Sequence, residues 1–79
     1  MTAKLAVRLP DLGDIESAVV VEWLCAAGAT LREGDDLVEV ETEKTTFVVP
    51  SPAAGVLAEI LVHVGDRVGV GDVLGSLDV

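Results

Sequence analysis

The chain has 79 residues, enough for one small domain whose single core is only marginally sufficient without a covalent or metal staple. One Cys and one His exclude an internal disulfide framework and a Cys/His zinc set, so apolar burial has to hold the fold. Fourteen acids against five scattered bases leave a net charge of −9, which argues against nucleic acid and anionic membranes as partners.

Val, Leu and Ile make up 27 residues, and the excess of Val favours strands over helices. Residues 4–9 read as a strand, which Pro10, Asp11 and Gly13 stop, opening a loop to about Ser17. Residues 18–24 resume as a strand. Gly28 and the acidic run Glu33, Gly34, Asp35, Asp36 mark turns, and residues 37–42 climb to Lys44. Residues 45–49 descend to Pro50 and Pro52, residues 55–62 give a further strand, and Gly65-Asp66 and Gly71-Asp72 turn the chain into a last strand at 73–77. No stretch shows helical periodicity with caps, so the expected fold is all-β. The longest nearly apolar run, 18–27, is broken by Glu22 and is too short to span a bilayer. The first ten residues alternate rather than forming a secretory signal, and with a single Cys a cytoplasmic setting is expected.

The second half matches the first at an offset of 37: Gly28 meets Gly65, Gly34 meets Gly71, Asp35 meets Asp72, Glu22 meets Glu59, Leu37 meets Leu74 and Glu41 meets Asp78. With three further residues allowed, Leu9-Pro10 falls on Val49-Pro50. Two similar halves imply an internal pseudo-two-fold in which the strands flanking Lys44 correspond to the last and first strands of the chain. The lysine and the chain ends are therefore expected at opposite poles.

Residues 38–50 form the most ordered pattern. A two-residue turn at Glu43 and Lys44 sets Thr42 opposite Thr45, Val40 opposite Phe47 and Val38 opposite Val49 on one face, with Glu41, Glu39, Thr46 and Val48 on the other. Shifting the turn by one residue spoils the sorting. The expectation is a lysine at the exposed tip of a hairpin.

Residue types argue against catalysis by the chain itself. No nucleophile, base and acid set stands in a recognisable motif, and the Gly-rich run 65–72 lacks the lysine and strand-to-helix context of a phosphate loop. His63 is expected on a strand surface, Cys25 as a packing residue, and Glu33, Asp35 and Asp36 as a solvated turn rather than a calcium site. The acids beside Lys44 favour its ammonium form and give it no means of acting as a nucleophile unaided. Two readings stay open on residues alone: a solvating charge, or a side chain that a second enzyme grips and modifies, which needs only exposure and a fixed pose.

The run E-T-E-K-T-T-F-V-V-P-S-P-A-A-G resembles the lipoyl-attachment segment of lipoyl domains in 2-oxo acid dehydrogenase complexes. L-P-D-L-G at 9–13, V-V-E-W-L at 20–24, G-D-D-L-V-E-V-E-T from Gly34 and G-D-R-V-G-V-G-D-V-L from Gly65 extend the resemblance over essentially the whole chain, 1–79, as a single such domain. It implies a flattened barrel or sandwich of two four-stranded antiparallel sheets, agreeing with the repeat. It also implies lipoate in amide linkage on Lys44, flanked by Glu43 and Thr45, with Glu41, Asp14, Ile15 and Glu16 in partner or ligase recognition. The partners implied are a lipoate ligase or a lipoyl/octanoyl transferase, a thiamine-diphosphate-dependent 2-oxo acid decarboxylase, an acyltransferase core and dihydrolipoamide dehydrogenase. The location implied is the cytoplasm, or the mitochondrial matrix in a eukaryote. The chemistry would belong to the cofactor, and the domain, a module of a dihydrolipoamide acyltransferase, would carry acyl groups and reducing equivalents as a swinging arm. Family members commonly have Asp-Lys-Ala at the turn, where this chain has Glu43-Lys44-Thr45, and residues 14–17 form a loop one residue shorter than usual. A biotin carboxyl carrier, whose turn is Met-Lys-Met, and an unmodified β interaction module are the alternatives.

Overall fold

A computed structural model describes residues 3–79; Met1 and Thr2 lie outside the described residues. Eight strands follow in chain order: β1 (Lys4–Arg8), β2 (Ser17–Trp23), β3 (Thr30–Leu31), β4 (Asp36–Glu41), β5 (Thr46–Pro50), β6 (Gly55–Ile60), β7 (Arg67–Gly69) and β8 (Val73–Asp78). They form two four-stranded antiparallel sheets, β1-β8-β6-β3 and β5-β4-β2-β7, packed as a sandwich rather than closed into a barrel. No helix of the structure is long and apolar enough to cross a membrane. The short strands β3 and β7 lie outside the six strands that alternation marks out. Two or three residues between Gly-containing turns are too few to display a period of two.

Each half of the chain supplies two strands to each sheet, and the offset of 37 exchanges β2 with β6, β3 with β7 and β4 with β8. The hydrogen bonds repeat with it. Leu24 N–H donates to the Leu37 carbonyl (2.8 Å) and Leu61 N–H to the Leu74 carbonyl (2.9 Å); Gly28 N–H donates to Leu57 (2.7 Å) and Gly65 N–H to Val20 (2.8 Å). Even the bulges coincide, between Val20 and Glu22 on β2 and between Leu57 and Glu59 on β6. The core is built from symmetry mates: Val20 with Leu57, Leu31 with Val68, Leu37 with Leu74 and Val40 with Leu77, all buried. One pair breaks the match. Val38 corresponds to Gly75, and the room left there is filled by the Trp23 indole, whose Nε1–H donates to the Val62 carbonyl (2.9 Å). A large residue and a glycine replace two medium ones, which conserves interior volume.

The first strand corrects the expected alignment. β1 pairs with β8 as Lys4↔Asp78 and Val7↔Gly75, and β5 pairs with β4 as Thr46↔Glu41 and Val49↔Val38, so Val7 is the mate of Val49 at an offset of 42. Leu9 and Ser51 make equivalent bonds, to Asp72 and Gly71 and to Asp35 and Gly34 respectively. Leu9-Pro10 therefore corresponds to Ser51-Pro52, not Val49-Pro50. Pro50 ends β5 and Pro52 lies two residues on, in the turn that follows, so a proline match alone does not choose between them. Seven residues, 11–17, stand where the counterpart has only Ala53 and Ala54, so the loop carries five extra residues rather than three. That excess material is gathered beside the Lys44 hairpin.

The base of the hairpin runs from Pro50 through residues 51–54 into Gly55, which lies against Asp78. Ala3 and Val79 prolong the β1–β8 ladder with two backbone bonds (3.2 and 2.9 Å). The ends thus sit at the foot of β4 and β5 and Lys44 at their far tip, along a molecule of 40 × 20 × 18 Å.

Candidate functional site

The hairpin carrying Lys44 has the expected register, with Glu41 opposite Thr46, Val40 opposite Phe47 and Val38 opposite Val49. Val38, Val40, Thr42 and Val49 are buried, Phe47 is partly so, and Glu41, Glu43, Lys44 and Thr45 are exposed. Both β-strands enter and leave the tip with their apolar side against the core, which fixes the side from which Lys44 projects. Among the described residues only glycines have positive φ, so Glu43 and Lys44 do not adopt the mirror-image turn that two-residue hairpins favour. The turn is closed another way. Thr42 N–H donates to the Thr45 carbonyl (2.7 Å), while Thr45 N–H and Lys44 N–H donate to the Thr42 hydroxyl oxygen (3.1 and 3.2 Å). That hydroxyl in turn donates to the Thr45 carbonyl (2.8 Å). A threonine just before a turn is a recognisable signal for this side-chain-to-backbone closure, which the sorting of faces alone does not reveal.

Beside the tip the long 11–17 loop and the hairpin enclose a cleft of about 420 Å³, lined by Asp14, Ile15, Glu16 and Ser17 on one side and Glu41, Thr42 and Glu43 on the other. The structure therefore brings together every residue assigned to recognition. Ile15 is buried and anchors the loop, while Asp14 and Glu16 are exposed. The one cation on its wall is Arg67, from β7, whose Nη1 donates to the Ser17 hydroxyl (3.3 Å). Despite this acidic rim, Lys44 makes no ion pair or side-chain hydrogen bond among the described residues. Lys4, by contrast, is tied to Glu59 at 3.0 Å, and that hydrogen bond pushes its pKa above the ordinary value, aided by the charges of Glu59 and Asp78.

The remaining candidates resolve into structure. Asp35 and its mate Asp72 accept the backbone N–H of Arg32 (2.8 Å) and Gly69 (2.7 Å), holding the turns before β4 and β8. No group of acids and His or Cys among the described residues could hold a metal ion. His63 stands in the turn after β6, not on a strand surface, because β6 ends at Ile60; its backbone N–H donates to Asp66 (2.9 Å). Cys25 packs against the core, its thiol 3.9 Å from the Leu37 carbonyl, and burial pushes its pKa above 9.0 with help from Asp35.

A family model described as "Biotin-requiring enzyme" matches residues 5–77. Curated relatives include the dihydrolipoyllysine-residue acetyltransferase component of the pyruvate dehydrogenase complex of Staphylococcus epidermidis, 42% identical over 72 residues, and that of Staphylococcus aureus, 40% identical over 72 residues. These matches cover 90% of this chain but 17% of each relative, so the chain spans about a sixth of their length. Among solved structures, the lipoyl domain of the 2-oxoglutarate dehydrogenase complex of Azotobacter vinelandii is 31% identical with a TM-score of 0.66 over 98% of this chain and 94% of that one. A single-chain, multi-domain long-chain acyl-CoA carboxylase is also 31% identical, with a TM-score of 0.79 over 95% of this chain and 7% of that one. A two-fold sandwich with a lysine at a hairpin tip, matched by this family model along nearly its whole length, makes the chain a member of the biotinyl- and lipoyl-attachment family.

Proposed function

We propose that residues 1–79 are a single carrier unit that bears lipoate in amide linkage on Lys44 and serves a 2-oxo acid dehydrogenase complex. The observation that carries this reading is the lysine itself: exposed, on a closed turn, and without a counter-ion among the described residues beside four acids of the loop and hairpin. An amine to be acylated must be reachable in a fixed pose, and a salt bridge would have to be broken first. The residues fit the group, since the amide removes the lysine charge and leaves the acidic rim unpaired toward a partner. The dithiolane, when bound, supplies the acyl- and electron-accepting chemistry. The protein's own residues hold its point of attachment and present Asp14, Glu16, Glu41 and Glu43 around it.

The names of the curated relatives support lipoate, and the turn residues Glu43 and Thr45 support it over biotin. The carboxylase similarity keeps biotin as the second reading. The partners proposed are a lipoate ligase or lipoyl/octanoyl transferase, a thiamine-diphosphate-dependent decarboxylase, an acyltransferase core and dihydrolipoamide dehydrogenase. The domain carries between them without catalysing, in the cytoplasm or, in a eukaryote, the mitochondrial matrix. Tethering raises the arm's local concentration at each active site.

Intact mass after co-expression with lipoate ligase tests this. A lipoyl or octanoyl increment on the wild type that disappears in Lys44→Arg is expected. No increment under saturating ligase and lipoate would overturn the proposal, and an increment only with biotin ligase and biotin would select the second reading. A partner that binds Lys44→Arg as well as the wild type, with no cofactor on either, would instead favour an interaction module.

A further inference from the structure

We propose that Thr42 is a positioning residue for the modification of Lys44: its hydroxyl is the lock that holds the turn in the pose the modifying enzyme reads. This rests on the reading of Lys44 as the acylated residue. In an ordinary two-residue hairpin the residues flanking the turn exchange both backbone bonds. Here only one is made. Thr42 N–H reaches the Thr45 carbonyl, but Thr45 N–H is taken by the Thr42 hydroxyl oxygen (3.1 Å), which also accepts Lys44 N–H (3.2 Å) and gives its own proton to the Thr45 carbonyl (2.8 Å).

Three side-chain bonds thus converge on one oxygen, all of them to the backbone of Lys44 and the residue after it, two accepted from N–H groups and one donated to a carbonyl. They supply what the sequence of the turn withholds. Neither Glu43 nor Lys44 is a glycine or an asparagine, and neither takes the positive φ that would let the backbone close the loop alone. The hydroxyl is 8% exposed with its residue and sits on the core face between Val40 and the tip. Water therefore competes poorly for it, and the strands below fix its position. Removing the hydroxyl frees two amides at the tip and lets the lysine backbone sample other turns. Serine keeps the oxygen and loses only a methyl group.

The test compares Thr42→Val, close to isosteric, with Thr42→Ser, using the whole chain, lipoate, ATP and lipoate ligase, with melting followed in parallel. We expect Thr42→Ser to be loaded within about twofold of wild type. Thr42→Val should lose about tenfold to a hundredfold in kcat/KM, the range that a misplacement of about 1 Å produces. The valine chain should remain folded, since the core below the turn is untouched. Amide exchange on the unmodified wild type gives a second measurement independent of folding of the variants: Lys44 and Thr45 N–H should exchange more slowly than Glu43 N–H. Equal loading of the valine and wild-type chains, a serine chain as poor as the valine chain, or unprotected Lys44 and Thr45 amides would each overturn the lock. If the wild type is not loaded at all, the reading of Lys44 fails, while the exchange rates still decide whether the hydroxyl holds the turn.

Discussion

Lys44 and Cys25 show how much of a side chain's chemistry is set by what lies within a few ångströms. Both types are potential nucleophiles. Lys44 is open to solvent on a held backbone. Cys25 is tucked against the core near the Leu37 carbonyl, and burial favours its neutral thiol over the thiolate. Its pKa in the folded chain lies above 9.0, so at pH 8 the folded protein holds less thiolate than the unfolded chain. The linked stability is present below 9.0 and is lost as pH rises through the folded value. Alkylation by a small thiol reagent at pH 8 should therefore be slower for the folded chain than in denaturant, and its rate should still be climbing above pH 9; equal rates would contradict this. At this scale the sequence announced Lys44 through its place between two alternating runs. It did not announce that Thr42 closes the turn, since a hydroxyl's partners depend on where the neighbouring amides point. Nor could it place His63, because whether β6 ends at Ile60 or Val62 turns on pairing with β8 rather than on composition.

Among the elements, the sheet strands of six residues or so were legible from alternation, and the pairing of β4 with β5 from the sorting of their faces. What alternation hides is the bulge. Leu37 and Val38 are adjacent and both buried, which a regular strand forbids; the irregularity between Asp36 and Val38 allows it, and the same irregularity recurs at Leu74 and Gly75. Gly75 is where the two halves differ in substance. A Cβ placed there would collide with the Glu59 carbonyl oxygen and press on the Trp23 ring. Gly75→Ala should accordingly destabilise by about 1–3 kcal/mol, as overpacking does in closed cores. Denaturant unfolding followed by the emission of Trp23 checks it, and an unchanged midpoint would mean that β8 can shift away from β6. The two-residue error in placing the first strand belongs to this scale too. Proline spacing is a local signal, whereas the ladder partners of Val7 and Val49 are set across the sheet.

For the molecule as a whole, symmetry sets the Lys44 hairpin opposite the pole where Ala3 and Val79 meet. The operation that exchanges the sheets relates β4 and β5 to β8 and β1, whose neighbouring residues Ala3 and Val79 lie at the opposite pole. Ala3 and Val79 are already hydrogen-bonded to each other, so joining the ends through a short glycine-containing linker should require little rearrangement. The closed chain loses entropy only when unfolded, and stabilisation of up to about 4 kcal/mol is expected on the loop-closure argument. A rise in the guanidinium midpoint with unchanged loading of Lys44 is the expected outcome; no rise would show that the terminal ladder contributes nothing. The net charge of −9 acts at the same scale, and the acidic cleft beside Lys44 contributes to it.

The neighbouring, antiparallel ends of β1 and β8 also decide how the molecule answers to mechanical load. A pull that separates Ala3 from Val79 acts across their ladder and opens it one bond at a time, as a zip is peeled, instead of shearing many bonds together. Force between the ends would therefore strip β1 from β8 first, beginning at Ala3 and Val79 and passing to Lys4 and Asp78, while the sheet that holds the lysine hairpin, β5-β4-β2-β7, carries none of that load directly.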